Sequence, residues 1–171
     1  MFIAHAPAGY LLFKVFTRRT QHSISLWLTG LFFAVAPDFD LIWFYVFSDR
    51  AIPHHEYVTH WPVFWLAFFG GAFVIGALLR KATWRRPLVA GLGCVMLHLV
   101  LDSIAAEIFW FAPFSSMQIN LVKVPSTYNW WVWNFLLHWT FALELLICAL
   151  ALIFFFHARR KTRSQLLMPQ D

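Results

Sequence analysis

Apolar residues run along this chain in long, nearly uninterrupted stretches. A stretch of about 20 residues with few charges predicts a transmembrane helix. Four stretches meet this description, and we assign them to residues 24–48, 57–79, 87–106 and 129–156. A further apolar segment, 2–17, is too short to cross a bilayer at about 1.5 Å per residue. The predicted fold is therefore all-α, a polytopic membrane bundle of four transmembrane helices plus a short N-terminal half-inserted helix.

Two irregular features interrupt this pattern. Pro37 removes a backbone donor and predicts a kink or break in the first span, where Asp38 and Asp40 follow. Residues 108–128 mix aromatic and polar side chains and predict an interfacial loop, with a helix lying on the membrane as one option. Tryptophans at the start of the last span are typical of an interfacial aromatic belt.

Composition supports the membrane assignment. Hydrophobic residues make up 61% of the chain and charged residues 12%, which excludes a soluble domain. The whole chain, 1–171, is predicted to be one membrane-embedded domain that ends in a tail, 158–171. Cys94 and Cys148 lie in apolar runs without metal-ligand spacing and predict buried thiols, with no disulfide framework.

The positive charges are concentrated at one set of segment ends. We assign that side to the cytoplasm by the positive-inside rule, so the C-terminus is predicted to be cytoplasmic and nucleic acid is not an expected partner. Seven of the eight acids map to the opposite half. The basic residues on the predicted cytoplasmic side are Lys14, Arg18, Arg19, Arg80, Lys81, Arg85, Arg86, Arg159, Arg160, Lys161 and Arg163.

Ionisable residues from separate segments agree in predicted depth. Each lies 12 to 16 residues from the basic end of its own segment, or roughly 18–24 Å above the inner face. Independent structural polar groups have no reason to agree in this way. A shared polar layer in the outer half of the membrane is therefore predicted. Its members are His5, Asp38, His98, Asp102 and Glu144.

A second concentration of chemistry begins at His54, where three imidazoles and a carboxylate fall within seven residues. His55 and His60 would be about 140° apart on a continuous helix. We therefore predict His55 in a loop or first turn and His60 within the helix, both facing one centre. His54 is predicted to be an exposed loop residue. Glu56 is either a catalytic acid/base or a solvated loop acid.

Carboxylates and histidines deep in the spans suggest ligands. His98 and Asp102 lie one turn apart on one helix face, where they could chelate Zn²⁺, or Fe and Mn less selectively. The alternative is a His–Asp hydrogen bond that packs the bundle. Asp38 and Asp40 could share two metals, act as one ligand and one supporting acid, or belong to a turn. Glu144, in mid-span, needs a function or a partner.

Other chemistries find little support. No serine lies in a nucleophile-elbow motif, neither cysteine has a neighbouring base, and no phosphate-cradling glycine loop is present. Water activated by a bound metal ion fits the residues that are present.

The ordered set of motifs resembles the YdjM-like family of bacterial inner-membrane, metal-dependent hydrolases over about the first 115 residues. That family is distantly similar to the zinc-dependent phospholipase C and P1 nuclease group, all-helical enzymes that hold zinc through His and Asp ligands. The motifs that carry the resemblance are His5, Pro37-Asp38-Phe39-Asp40, His55-Glu56-Tyr57-Val58-Thr59-His60, His98-Leu99-Val100-Leu101-Asp102 and Phe111-Ala112-Pro113-Phe114-Ser115.

The resemblance implies a divalent-metal site, with zinc favoured and one to three ions. This chain departs from many relatives at two places. It has Glu56-Tyr57 where Arg-Gly is common, and Ala106-Glu107 where a glycine is common. The implied metal ligands are His5, Asp38, His55, His60, His98 and Asp102. The candidates for catalytic or supporting roles are Asp40, Glu144 and Glu56.

The expected function is hydrolysis of a phosphoester in a phospholipid or lipid-linked phosphate, at a site in the inner membrane that opens to the periplasm. Membrane lipid is the expected partner, and the sequence leaves the oligomeric state open. Two alternatives remain. One is an ion or small-solute transporter with its binding site in the polar layer. The other is a membrane scaffold whose metal only staples the helices.

Overall fold

The computed structural model describes residues 1, 3–17, 24–48 and 52–166, and within them the chain is helical without a β-strand. The predicted cytoplasmic charges Arg18 and Arg19 and the end of the predicted tail, 167–171, lie outside this part. The α-helices described are α1 (His5–Thr17), α2 (Ile24–Val35), α3 (Asp40–Val46), α4 (Pro62–Leu78), α5 (Arg85–Ala105), α6 (Trp131–Leu136) and α7 (Trp139–Leu166).

Three helical segments of the described chain are long and apolar enough to cross a membrane, Leu26–Val46, Ala82–Ala105 and Trp139–Arg160. The predicted four spans are therefore corrected to three. The segment assigned to 57–79 contains α4, which has only 17 residues. At about 1.5 Å per residue it reaches about 26 Å, short of the roughly 30 Å hydrocarbon core.

Helix α5 lies at the centre of the bundle and packs against α1, α2 and α4. Phe69 of α4 and Val95 and Leu99 of α5 are fully buried in the main apolar cluster. Helices α1 and α2 approach closely at Gly9, where an added Cβ would lie 2.4 Å from the Ala34 Cβ. Cys94 is buried and unpaired. The packing brings the start of α1 against the middle of α5.

The predicted break at Pro37 is confirmed. Helix α2 ends at Val35, a 3-10 turn follows over Ala36–Phe39, and α3 begins at Asp40. Proline suits this position because it lies at the start of the turn, where an unpaired backbone N–H costs nothing. The change of helix type lets Asp38 and Asp40 approach His60 from one chain segment.

The histidine-rich stretch forms two 3-10 turns, His54–Glu56 and Val58–His60, and α4 begins only at Pro62. The prediction that His60 lies within the helix is wrong. A residue that precedes proline disfavours the helical conformation, and Trp61 is extended. The helix therefore starts two residues after His60.

Two tryptophans, one just before α4 and one within it, form hydrogen bonds to these turns. The Trp61 indole N–H donates to the Glu56 carbonyl at 3.1 Å, and the Trp65 indole N–H donates to the Thr59 carbonyl at 2.7 Å. Such bonds satisfy backbone carbonyls that short 3-10 turns leave without helical partners.

Residues 106–130 cross the end of α5 without a helix. Ile108 and Ile119 form an antiparallel bridge, and the Leu121 amide donates to the Ser103 carbonyl at 2.8 Å. The Trp110 indole N–H donates to the Ser103 hydroxyl at 2.7 Å. The predicted interfacial segment is thus an ordered loop fixed to α5, and not a helix on the membrane surface.

The segment predicted as one last span, 129–156, divides in two. The short helix α6 is followed by a break at His138, and α7 then continues to Leu166. The His138 Nδ1 and the Thr140 hydroxyl lie 2.9 Å apart, so a local side-chain contact replaces a helical turn here. The predicted tail, 158–171, is helical up to Leu166.

Candidate metal centre

Four side chains from three separated segments meet in the bundle. His5 comes from the first turn of α1, Asp38 from the turn after α2, and His98 and Asp102 from α5. One potential ligand atom from each of these residues lies within 4.8 Å of the others. The structure thus brings these four predicted residues together, and their depth in a membrane stays a prediction.

The His98–Asp102 pair forms the base of this group. The His98 Nε2 lies 3.0 Å from an Asp102 carboxylate oxygen, and the His98 Nδ1 lies 2.8 Å from the Ala34 carbonyl oxygen. A carbonyl oxygen can only accept, so Nδ1 carries the proton. In the neutral ring Nε2 then presents a lone pair, which is how metal-ligating histidines are oriented.

His5 completes the buried part of this group. Its ring stacks on that of His98 with a centroid distance of 3.7 Å. The His5 Nε2 lies 3.1 Å from Asp102 Oδ1 and 3.9 Å from Asp38 Oδ2. The Met1 α-amino group also contacts Asp102. Asp102 therefore presents its two oxygens to different partners.

His60 reaches the same place from the turn before α4. Its Nε2 lies 3.8 Å from Asp38 Oδ1 and 3.7 Å from Asp102 Oδ2. Its Nδ1 lies 2.9 Å from Asp40 Oδ2, which also accepts the Thr59 hydroxyl at 2.6 Å. A carboxylate on one imidazole nitrogen, with the other nitrogen aimed at the site, is the usual arrangement of a metal-bound histidine.

A second group of potential ligands consists of His54, His55 and His60. The rings of His54 and His55 are 3.7 Å apart, the His54 Nδ1 lies 3.7 Å from Asp40 Oδ1, and the His55 Nε2 lies 3.9 Å from Asp102 Oδ2. The prediction that His54 is an exposed loop residue is wrong, because its side chain is only 23% exposed. Helical spacing could not identify His54 as a potential ligand, because the 3-10 turn directs both His54 and His55 toward His60.

The ligand atoms lack other partners. Four buried atoms from four residues have no hydrogen bond: Nε2 of His5, His60 and His98, and Oδ2 of Asp102. Each buried polar atom without a hydrogen bond lowers the free energy of unfolding by about 1–3 kcal/mol. Zinc with ligands at 2.0–2.1 Å in a tetrahedron separates them by about 3.3 Å. The Nε2–oxygen distances here, 3.0 to 3.9 Å, are short enough for these atoms to hold one metal ion.

Two histidines of the turns differ in their affinity for protons. Burial lowers the pKa of His55 to about 3, so this imidazole is neutral near pH 7 and can bind a metal. Burial also disfavours the charged form of His60. The contacts with the Asp38 and Asp40 carboxylates favour the charged form more strongly than burial disfavours it, and they raise the pKa of His60 to about 9. A metal at His60 would therefore displace a proton.

The candidate catalytic acids lie in three different surroundings. Asp40 lies behind His60, as described above. Glu144, only 2% exposed, accepts the Ile3 amide at 2.7 Å, so it ties α7 to the segment that precedes His5. Glu56 is half-buried in the first 3-10 turn. None of the three belongs to either ligand group found among the described residues, and their catalytic roles stay predictions.

A cavity of about 640 Å³ reaches the ligands from one side. Asp38, His54 and His55 line its polar end, and Asp38 is 25% exposed. The remaining wall is largely apolar and comes from α3, α6 and the flanking loops. It includes Leu41, Phe44, Tyr45, Val132 and Phe135.

Fold and site together define a helical membrane protein with a buried His/Asp cluster that could hold a metal ion. A family model described as YdjM inner membrane protein matches residues 1–162, and the chain belongs to this family. Comparisons with curated proteins and with solved structures give no match. The expected similarity to zinc-dependent phospholipase C and P1 nuclease therefore gains no support from them.

Proposed function

We propose that this protein is a membrane-embedded, metal-dependent hydrolase that cleaves a phosphoester of a phospholipid or a lipid-linked phosphate. One observation carries the proposal. Buried imidazole and carboxylate atoms without hydrogen-bond partners lie behind Asp38, and Asp38 lines a largely apolar cavity of about 640 Å³. Only an amphiphilic molecule matches both ends of such a cavity.

The metal would be held by His5, His98 and Asp102, with His60, Asp38 and His55 completing the ligand set. This donor set favours zinc. A divalent ion there supplies Lewis-acid chemistry, since it lowers the pKa of water to about 7 and stabilises charge on a phosphoryl oxygen. Hydrolysis adds water across a P–O bond and releases an alcohol and a phosphate.

Other residues position these ligands. The Asp40 carboxylate fixes the His60 ring through Nδ1, and Thr59 fixes that carboxylate in turn. We assign Asp40 to positioning and Glu144 to anchoring of the N-terminal segment. Glu56 stays the candidate for proton transfer, because it shares a second cavity with His55.

The site belongs, on this proposal, to the periplasmic half of the inner membrane. The basic residues at the ends of α4 and α5, among them Arg80 and Arg85, favour the cytoplasm for the opposite end of these helices. The partly exposed Asp38 supports a hydrolase over a scaffold, because a purely structural metal site is closed. A transporter would need a second exit path, which flux measurements in liposomes would detect.

The direct test is metal analysis of the purified protein, followed by a cleavage screen of phospholipids and lipid-linked phosphates with and without chelator. We expect stoichiometric transition metal and chelator-sensitive release of phosphate or an alcohol. His98→Ala should abolish both. His157→Ala is the matched control, because His157 is exposed on α7 and outside both ligand groups. Protein without metal whose activity survives His98→Ala would refute the proposal.

A further inference from the structure

A second cavity, of about 420 Å³, adjoins the apolar one. Both cavities are lined by Pro53, His55, Ala106 and Phe135, so these residues form the wall between them. The His55 imidazole lies in that wall, 3.9 Å from Asp102. A molecule that reaches the candidate metal centre can therefore extend into either cavity.

The two cavities differ in chemistry. The larger is mainly apolar, whereas the smaller is lined by five side chains with charged or amide groups. Two carboxylates and one ammonium leave one negative charge unbalanced in the smaller cavity, and two amide oxygens add further acceptors. These side chains are Glu56, Glu107, Gln118, Asn120 and Lys123.

The wall of the smaller cavity is an ordered part of the fold. The Leu121 amide donates to the Ser103 carbonyl of α5, and the Asn120 side-chain oxygen accepts the Val122 amide at 3.1 Å. The bridge between Ile108 and Ile119 closes the loop from the other side. The backbone that carries Gln118, Asn120 and Lys123 is therefore fixed against the end of α5.

We propose that the smaller cavity is a headgroup site for a phospholipid that carries an ammonium group. The acyl chains would occupy the larger cavity, and the phosphate would lie at the His55 wall. One positive charge neutralises the excess negative charge of the smaller cavity, and a primary ammonium donates hydrogen bonds to its carboxylates and amide oxygens. The inference rests on the proposed function, because it identifies the substrate class of the same site.

The test measures binding separately from cleavage. Short-chain phosphatidylethanolamine, phosphatidylglycerol and phosphatidylcholine are titrated into the full-length protein in detergent, and bound lipid is counted by native mass spectrometry. We expect about tenfold preference for phosphatidylethanolamine over phosphatidylglycerol, the size of one charge-assisted hydrogen bond. Phosphatidylcholine should bind more weakly than phosphatidylethanolamine, because its quaternary nitrogen has no proton to donate.

Charge variants show whether this cavity causes the preference. Gln118→Glu adds a carboxylate to the cavity wall and should increase the preference. Ser116→Glu adds the same charge two residues earlier, at an exposed position outside the lining, and should leave it unchanged. Glu107→Gln should reduce the preference. Equal effects of Gln118→Glu and Ser116→Glu, or preferential binding of phosphatidylglycerol, would overturn the headgroup site.

The outcomes separate this inference from the hydrolase proposal. Metal-dependent cleavage without headgroup preference would keep the hydrolase and reject the headgroup site. Selective binding of phosphatidylethanolamine without cleavage of any lipid would keep the binding site and reject the hydrolase.

Discussion

The two groups of potential ligands are held in different ways. His5, His98 and Asp102 belong to α-helices packed in the bundle, and each is at most 3% exposed. His54 and His55 belong to a three-residue 3-10 turn between two aromatic segments, and each side chain is more than 20% exposed. We call His5, His98 and Asp102 the helix-held group, which is rigid, and His54 and His55 the turn-held group, which lies beside the cavities.

This difference assigns different tasks to the two groups. Ligands on packed helices keep their geometry without a metal, because moving them would disrupt the core. Ligands in a short turn can adjust when a cation or a substrate arrives. We therefore expect the helix-held group to determine metal affinity and the turn-held group to determine access and substrate position.

The largest effect is expected for His98→Ala. This change removes a ligand and also leaves Asp102 buried beside fewer partners. Metal affinity should fall by more than the roughly 100-fold that loss of a supporting partner costs. Inductively coupled plasma mass spectrometry of the purified variant should find no bound metal. Metal retained at the wild-type level would remove the helix-held group from the site.

Removal of the metal should destabilise the fold mainly at the helix-held group. An ion present at 1,000 times its dissociation constant stabilises the folded state by about 4 kcal/mol. Chelator treatment should therefore lower Tm, and added zinc should restore it. His98→Ala serves as the control, since its Tm should not respond to chelator. An unchanged Tm of wild-type protein on chelation would contradict a metal that joins α1 to α5.

Asp40→Asn tests the connection between the groups, because Asp40 contacts both His60 and His54. The asparagine side chain keeps the shape of the aspartate. It loses the negative charge that favours a proton on His60 Nδ1. Metal affinity should fall by about 10- to 100-fold, measured by competition with a fluorescent chelator. An affinity within twofold of wild type would show that His60 needs no such partner.

The smallest effect on metal content is expected for His54→Ala. This ring lies against that of His55, tilted by 38°, and belongs to the turn beside the cavity. Bound metal should stay close to the wild-type stoichiometry, while cleavage of lipid substrates falls. The comparison between the two groups fails if His54→Ala loses as much metal as His98→Ala does.

The helix-held group could be predicted because helices transmit depth and direction over many residues. The one-turn spacing of His98 and Asp102 and the matched depths of His5 and Asp38 were sufficient to bring these four together. The turn-held group could not be predicted in full. The 3.6-residue periodicity of an α-helix does not apply to a 3-10 turn, so His54 was assigned to solvent although its ring lies against that of His55.

Two features of the fold were missed for a related reason. Hydropathy reports the length of an apolar stretch but not where its helix begins. Proline and local hydrogen bonds decide that point. Helix α4 starts at Pro62 and α7 at Trp139, each after the start of its apolar stretch. Three of the four predicted spans therefore remain long helical segments, and the fourth contains only the short helix α4.

The contact between Glu144 and the Ile3 amide has a consequence for biosynthesis. The two residues are 141 positions apart, so translation at 5–20 residues per second separates them by on the order of ten seconds. During that interval the segment before His5 lacks this hydrogen bond to α7. His5 is thus synthesised before α7 exists to hold the segment next to it. Attachment of the segment before His5 to α7 is therefore a late event in the life of the nascent protein.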